Sequence, residues 1–437
     1  PTFDGEPKNE ERAYERGNNQ MIKVGVIGFG TVGQGVVESL VQLERGLRKE
    51  VTLEMLLVTN RRKHEHSEQY ALVTDDWKTF AARHYDVVFE AAGGIEPVYD
   101  YVRFFLKKGV PVVTANKKLV AERGEELERL AAENDTYLCY EAAVAGGIPI
   151  LNAIKGTLAT TSFTSVAGIL NGTTNYILTG MIEQNRPFQD MLEEAQAKGY
   201  AEADPTDDIE GYDAWYKIRI LARLCFGIWP NRDDISRSGL HDVLDWHVEL
   251  GQSLGLTLKL DGRASVKNNT IIGSVAPAFF TNDHPFSTVY GVTNAVVLEG
   301  KAIERLLFTG PGAGKEATAN SMVEDYLFHE RYKGERQPML IKEKEQNRIA
   351  NVLVMVAAHE KKEAEKVVEH LPCQRINTFA ADEGEAWWLK VYEDVIPFIS
   401  KQLGLSLYRV YGAFEKQLVT TNMHHPSSID ETLEQKA

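Results

Sequence analysis

The amino-acid sequence predicts an α/β chain. It should begin with a doubly wound parallel sheet, continue into an α+β region and end in a small β-α-β-β-α-β unit. Three observations predict this. Short apolar runs alternate with amphipathic stretches over residues 22–140. A Gly28-Phe29-Gly30-Thr31-Val32-Gly33 string follows directly on the first apolar run. Beyond residue 150 the alternation gives way to a run of helices and then a run of strands.

Taken in order, residues 1–20 are polar and mixed in charge, and they read as a disordered extension rather than a secretory leader. The first domain spans 21–150. Its strands are expected at 22–28, 51–58, 86–90, 111–114 and 136–140, with helices at 32–49, 97–108 and 117–134. With the glycine string, that order is Rossmann-type. The second domain, 151–308, is introduced by a helix at 148–158. A strand at 162–170 follows, then helices at 175–183, 188–198 and 208–226. Strands fill 257–308, with turn signals at Asp261-Gly262 and Lys267-Asn268-Asn269. Residues 309–330 read as a glycine turn and a helix returning to the first domain, and 330–338 as a linker. The last unit, 345–415, places strands at 349–357, 374–379, 385–391 and 406–412 and helices at 361–370 and 392–403. Residues 416–437 read as a frayed polar tail.

Bulk properties narrow the function. The chain has 437 residues, of which 43% are hydrophobic, enough for packed cores. No stretch reaches 18 apolar residues, so no membrane span is expected. A net charge of −15 repels phosphate backbones and argues against a nucleic-acid partner. Cys139, Cys225 and Cys373 lie far apart without CxxC spacing, which argues against a disulfide scaffold and a zinc site. A reduced, cytoplasmic protein acting on a small molecule is the expectation.

The glycine string carries the first chemistry. Gly28 permits a tight turn, Gly30 lets backbone approach a pyrophosphate, and Gly33 lets helix and strand pack closely. Phe29, Thr31 and Val32 complete the string, and the helix it opens offers N–H groups to phosphate. The second strand runs into Asn60-Arg61-Arg62-Lys63 with no acid to hold a ribose 2′-OH. Arginines suit a 2′-phosphate, so NADP is favoured over NAD, the other reading being a solvated basic loop. Ala92, Gly93, Thr114, Gly312 and Gly314 complete the candidate cofactor set. The cluster from Gly310 to Lys315 is not a P-loop, because Thr309 stands where its first glycine belongs and Glu316 follows the lysine.

The stretch from Gly199 to Lys217 is dense in acids, broken by Gly and Pro, and runs into an apolar helix. Asp213 and Lys217 are four apart and share a helix face. Judged by spacing alone, a capped helix with an exposed salt bridge is the favoured reading. The stretch also resembles the homoserine dehydrogenase signature, an acid–x–Asp-Pro segment followed by Asp, Gly, Asp and Lys. Other segments agree in order: Thr114-Ala115-Asn116-Lys117, Glu141 to Pro149, Gly168 to Asn175, and Gly310 to Asn320. The resemblance covers about residues 21–328.

The resemblance implies roles. Glu202, Asp208 and Asp213 would bind the substrate ammonium, with Gly199 contributing backbone. Lys217 would exchange the proton at the substrate oxygen, and Lys117 would sit near the nicotinamide; which lysine carries the proton stays open. A monovalent cation such as sodium would be held at Glu141, Val144, Gly146 and Ile148. The reaction implied is the NAD(P)-dependent interconversion of L-aspartate 4-semialdehyde and L-homoserine. Aldehyde reduction puts negative charge on oxygen as hydride arrives, which a lysine can offset and then protonate.

Two other functions fit parts of the sequence less well. A phosphorylating aldehyde dehydrogenase needs a poised thiolate, and none of the three cysteines has such a setting. An NADP-binding regulatory protein with an inactive site is expected to lose Asp213 or Lys217, and both are present. The last unit resembles the ACT regulatory domain that many members of the family carry. Its usual Asp-x-Pro-Gly turn is absent, with Ala358-His359-Glu360 near that place. Threonine control and a packing or oligomerisation role are both open. The strands near 257–308 suit a sheet extended across a two-fold axis, so a homodimer or higher oligomer is expected.

Overall fold

The computed structural model describes residues 21–267, 270–331, 349–403 and 405–413. The extension at 1–20, the Asn268-Asn269 turn, the linker from 332 and the tail from 416 lie outside the described residues. Two compact units divide the chain, Pro1–Gly147 with Gly314–Glu335, and Ile148–Ala313 with Arg336–Ala437.

The first unit contains β1 (Ile22–Ile27), α1 (Thr31–Glu38), α2 (Leu40–Leu47), β2 (Val51–Leu57), β3 (Val73–Thr74), α3 (Trp77–Ala81), β4 (Val87–Glu90), α4 (Val98–Lys107), β5 (Val112–Thr114), α5 (Lys117–Glu133) and β6 (Leu138–Cys139). The strands are all parallel, in the order β3-β2-β1-β4-β5-β6. The order reverses direction between β1 and β4, and a ligand crevice is expected at the carboxyl ends of those strands. Apart from Lys23 and Glu90, β1 and β4 are apolar and buried on both faces, as befits central parallel strands. A return helix, Lys315–Arg331, buries Ala319, Met322, Val323, Tyr326 and Leu327 in the same core as Val24, Val26 and Phe89.

One helix was expected at 32–49, but two are found. The Ser39 N–H is shared between the Gly35 and Val36 carbonyls at 3.0 Å each, which tightens the turn and ends α1. β3 and α3 were not expected. A two-residue strand is too short to show alternation, and α3 rests on its Asp76 cap, which accepts the Lys78 and Thr79 N–H groups.

The second unit opens with α6 (Ile150–Lys155), β7 (Phe163–Ile169), α7 (Gly172–Gln184), α8 (Phe188–Ala197), α9 (Thr206–Ile209), α10 (Tyr212–Phe226), β8 (Ile235–Arg237) and α11 (Asp245–Ser253). It continues with β9 (Leu256–Lys267), β10 (Thr270–Thr281), β11 (Thr293–Gly300) and β12 (Glu304–Pro311). The helix expected at 208–226 is broken at Gly211, whose φ of 77° leaves the helical region. The Asp261-Gly262 turn signal was misread. Both residues lie inside β9, where Gly262 pairs with Gly168 and Val275, so sheet pairing overrides the local preference.

The C-terminal elements are β13 (Ile349–Ala357), α12 (Lys361–Val368), β14 (Cys373–Ala380), β15 (Gly384–Tyr392), α13 (Ile396–Leu403) and β16 (Ser406–Tyr411). They follow the expected β-α-β-β-α-β order. Their sheet does not stand alone, because β16 pairs in parallel with β10, Phe279 opposite Val410. One mixed sheet therefore runs β12-β11-β7-β9-β10-β16-β13-β15-β14, with β8 also on β10.

Candidate active site

In the first unit, Gly28–Gly33, Ala92, Gly93, Thr114 and Lys117 lie at the carboxyl ends of β1, β4 and β5. Gly28 has a φ of 90°, and a Cβ there would lie 2.6 Å from the Ala92 nitrogen. A Cβ on Gly33 would stand 2.0 Å from the Gly28 carbonyl oxygen. A Cβ on Gly30 would meet nothing within 4 Å. Two glycines are thus required by packing, while the third keeps the N-terminus of α1 open, the cradle a pyrophosphate needs. Thr31 is exposed, Val32 half-buried, and the buried Phe29 ring lies 5.4 Å from that of His64.

Asn60, Arg61 and Arg62 follow β2 on the surface. The Asn60 side chain accepts the Arg62 N–H at 3.0 Å, and the Arg61 guanidinium lies over Tyr70 at 4.6 Å. Asp75, unremarked in the sequence, accepts the Arg61 N–H at 3.3 Å.

Glu90 was also missed. It ends β4 fully buried, and its carboxylate accepts the Ala92 N–H at 2.8 Å, the Gly93 N–H at 3.2 Å and the Thr114 hydroxyl. Burial pushes its carboxyl up, against those donors. Asn116 extends the lattice. It donates to the Gly94 carbonyl and caps α5 by accepting the Leu119 N–H at 3.0 Å. Lys117, the first residue of α5, is thereby anchored beside the Ala92-Gly93 loop's supports and is half-buried.

In the second unit, α10 carries Asp213 and Lys217 on one face, at 2% and 7% exposure. The exposed salt-bridge reading fails on that burial. Lys217 Nζ donates to Asp213 Oδ2 at 2.8 Å and to the Leu170 carbonyl at 2.7 Å. Asn171, the cap of α7, donates from Nδ2 to Asp208 Oδ1 at 2.6 Å and to Asp213 Oδ2 at 2.9 Å. One amide thus gathers both acids to the lysine, and the sequence reading did not single it out. Asn175, one turn further along α7, accepts from Lys259 Nζ at 2.9 Å. Lys259 is fully buried, and burial pushes its pKa down to about 7.

Gly199 and Glu202 lie exposed between α8 and α9, and it is the Glu202 carbonyl that accepts Gln196 Nε2 at 3.1 Å. Gly312 follows β12, and a Cβ there would overlap the buried Asn294 amide at 1.9 Å. Gly314 has a φ of 131° and precedes the return helix. Of the loop 141–148, Glu141, Val144 and Gly146 belong to the first unit and Ile148 begins the second. Glu141 is 1% exposed, and the Gly146 carbonyl accepts the Ser321 hydroxyl. All three cysteines are buried and outside any disulfide, and burial pushes the Cys225 thiol up, away from a nucleophile's setting.

A parallel six-stranded sheet with an open glycine turn, in a chain whose second unit holds a buried lysine–carboxylate pair, is the architecture of a nicotinamide-dependent dehydrogenase. The comparisons give the particular family. A family model described as the NAD-binding domain of homoserine dehydrogenase matches residues 28–141, and the homoserine dehydrogenase model matches 149–327. Homoserine dehydrogenase of Bacillus subtilis is 40% identical over 312 residues, covering 70% of this chain and 72% of that protein. That of Lactococcus lactis is 38% identical over 314 residues, covering 70% and 73%. The crystal structure of homoserine dehydrogenase from Thiobacillus denitrificans superposes with a TM-score of 0.80 at 29% identity, covering 90% of this chain and 98% of that one. The chain belongs to the homoserine dehydrogenase family, and it is an NAD(P)-dependent oxidoreductase acting on a CH–OH group. The inactive regulatory alternative is not favoured.

Proposed function

We propose that Lys217 is the proton donor and acceptor for the interconversion of L-aspartate 4-semialdehyde and L-homoserine, with Asp208, Asp213 and Glu202 receiving the substrate ammonium. The observation that carries this is the buried Lys217–Asp213–Asn171 network, extended to the half-buried Asp208. Two acceptors fix the Lys217 ammonium in one orientation, so it is already positioned when charge develops on the substrate oxygen. When bound, the nicotinamide supplies or receives the hydride. In the reducing direction Lys217 gives a proton to the nascent alkoxide, and in the oxidising direction it takes that proton back. Lys117 lies at the nucleotide end and offsets charge there, while Gly199 offers backbone to the substrate.

NADP is the preferred cofactor. Arg61 and Arg62 suit a 2′-phosphate, and a hyperthermophilic archaeal homoserine dehydrogenase, similar in fold, has been solved in complex with NADPH. Gly28 to Gly33, Asn60, Ala92, Gly93, Thr114, Gly312 and Gly314 are the residues proposed to contact it. A monovalent cation such as sodium is proposed at Glu141, Val144, Gly146 and Ile148. A buried carboxylate with carbonyl oxygens on a loop turned by Ala145 (φ 52°) and Gly146 (φ 20°) is a hard-cation donor set.

The ACT-like C-terminal unit is proposed to pack rather than to sense threonine. Its β16 extends the substrate sheet, the Tyr408 hydroxyl meets His247 Nδ1 at 2.8 Å, and Trp387 and Trp388 are buried. A homodimer formed at the exposed edge strand β12, and a cytoplasmic setting suited to three free thiols, complete the reading. No helix among the described residues is long and apolar enough to cross a membrane. Steady-state rates with homoserine and each nucleotide, in sodium against choline chloride, test these assignments. Equal rates in the two salts would remove the cation, and equal kcat/KM for NAD and NADP would remove the preference.

A further inference from the structure

A second cluster in the nucleotide unit is unused by the dehydrogenase chemistry. Cys139 ends β6, and Asp325 and His329 stand one turn apart on the return helix. Cys139 Sγ lies 3.2 Å from His329 Nδ1, and Asp325 Oδ1 lies 3.4 Å from the same nitrogen. The Asp325 carbonyl oxygen is 3.1 Å from Nδ1 and 3.9 Å from Sγ. One ring nitrogen therefore faces a thiol, a carboxylate oxygen and a carbonyl oxygen. A single proton on Nδ1 is divided among them, whereas a divalent cation can satisfy several donors at once.

The spacing suits a tetrahedral ion. With a Zn–S bond of about 2.3 Å and Zn–N and Zn–O bonds of about 2.0 Å, neighbouring ligand atoms lie roughly 3.3–3.6 Å apart. All three ligand atoms here fall within 4.8 Å of one another. The surroundings hold them in place. The Glu141 N–H donates to Asp325 Oδ2 at 2.7 Å, which turns the other carboxylate oxygen toward His329. The Tyr137 ring stacks on the imidazole at 5.0 Å and 18°, and its hydroxyl donates to Glu330 at 2.7 Å. Such outer partners orient metal ligands. Cys139 and Asp325 are buried, while the His329 side chain is 22% exposed and gives an ion its way in.

We propose that Cys139, Asp325 and His329 form a three-ligand zinc site, with a water in the fourth position. Thiolate, imidazole and carboxylate together select a borderline transition ion over sodium, magnesium or calcium. The site is therefore chemically distinct from the oxygen-lined loop at 141–148. On binding, the Cys139 thiol releases its proton to solvent, and the imidazole carries its proton on Nε2 so that Nδ1 can bond the metal. The net change is one proton released and three metal–ligand bonds formed. The ion would fasten β6 to the return helix beside Glu141, where the chain leaves the nucleotide unit. Sequence spacing conceals the set, since Cys139 and His329 are 190 positions apart.

Titration of the metal-free full chain with Zn²⁺ against a chromophoric chelator tests the proposal. The expected result is one tight equivalent per chain, and Co²⁺ in its place should give a thiolate-to-cobalt charge-transfer band. Cys139→Ser should abolish that band. Cys139→Ser and His329→Gln should each weaken Zn²⁺ affinity by about 100-fold or more. Both should also remove a zinc-dependent rise in melting temperature of about 5 °C. His329→Gln, at a half-buried position, keeps the test decisive if Cys139→Ser fails to fold. Absence of a tight equivalent, absence of the cobalt band, or unchanged affinity in His329→Gln would overturn the proposal.

Discussion

The proposed nucleotide site is built from backbone, and the proposed substrate site from buried side chains. At Gly28–Gly33 the work is done by missing Cβ atoms and free N–H groups, with Glu90 bracing the neighbouring loop from below. At Asp213–Lys217 it is done by two ionisable groups almost wholly removed from water and tied by Asn171. The difference reflects chemistry. A pyrophosphate is held by many weak, fixed dipoles, whereas proton exchange needs one titratable group in one place. The two halves should therefore fail in different ways.

Lys217→Ala should cost the most, lowering turnover by about 10³-fold while leaving nucleotide affinity unchanged in a fluorescence titration. Turnover close to that of the parent would break the comparison at its centre. Gly33→Ala should destabilise the nucleotide unit by roughly 2–4 kcal/mol, because its Cβ would meet the Gly28 carbonyl. Gly30→Ala should keep its melting temperature and lose nucleotide affinity instead. Calorimetry beside binding separates the two, and equal melting losses would contradict the open-cradle reading. Asn171→Ala should lower kcat/KM by about 10–100-fold, as Asp208 and Asp213 lose the donor they share.

Smaller effects sharpen the contrast. Arg61→Ala with Arg62→Ala should shift the NADP-to-NAD ratio of kcat/KM by about tenfold toward NAD, roughly 1.4 kcal/mol. Lys259 gives a pH signature to the substrate half alone. Its folded pKa of about 7 lies below the ordinary 10.5, so between those values the unfolded chain holds a proton that the folded chain lacks. Its contribution to the stability of this unit should rise with pH across that window and level off above it. Lys259→Met should flatten the slope, as denaturant melts between pH 7 and 10 would reveal.

The same contrast explains what the sequence disclosed. The glycine string is local, so spacing alone located the turn, the strand before it and the helix after it. Asp213 and Lys217 were visible as an i,i+4 pair, but their burial was not, and without burial a solvated salt bridge is the favoured reading. Asn171 and Glu90 escaped because their importance comes from partners 42 and 24 positions away. Asp261-Gly262 misled for the opposite reason, a local turn signal overruled by neighbouring strands. The β-α-β-β-α-β order was legible from alternation, whereas its fusion to β10 through β16 is a long-range pairing with no local trace.

The most direct test is absorbance at the nicotinamide band, with the full chain, homoserine and either NADP or NAD. The account predicts homoserine-dependent reduction of both, faster with NADP. Folded protein that binds nucleotide yet reduces neither cofactor with homoserine would contradict it.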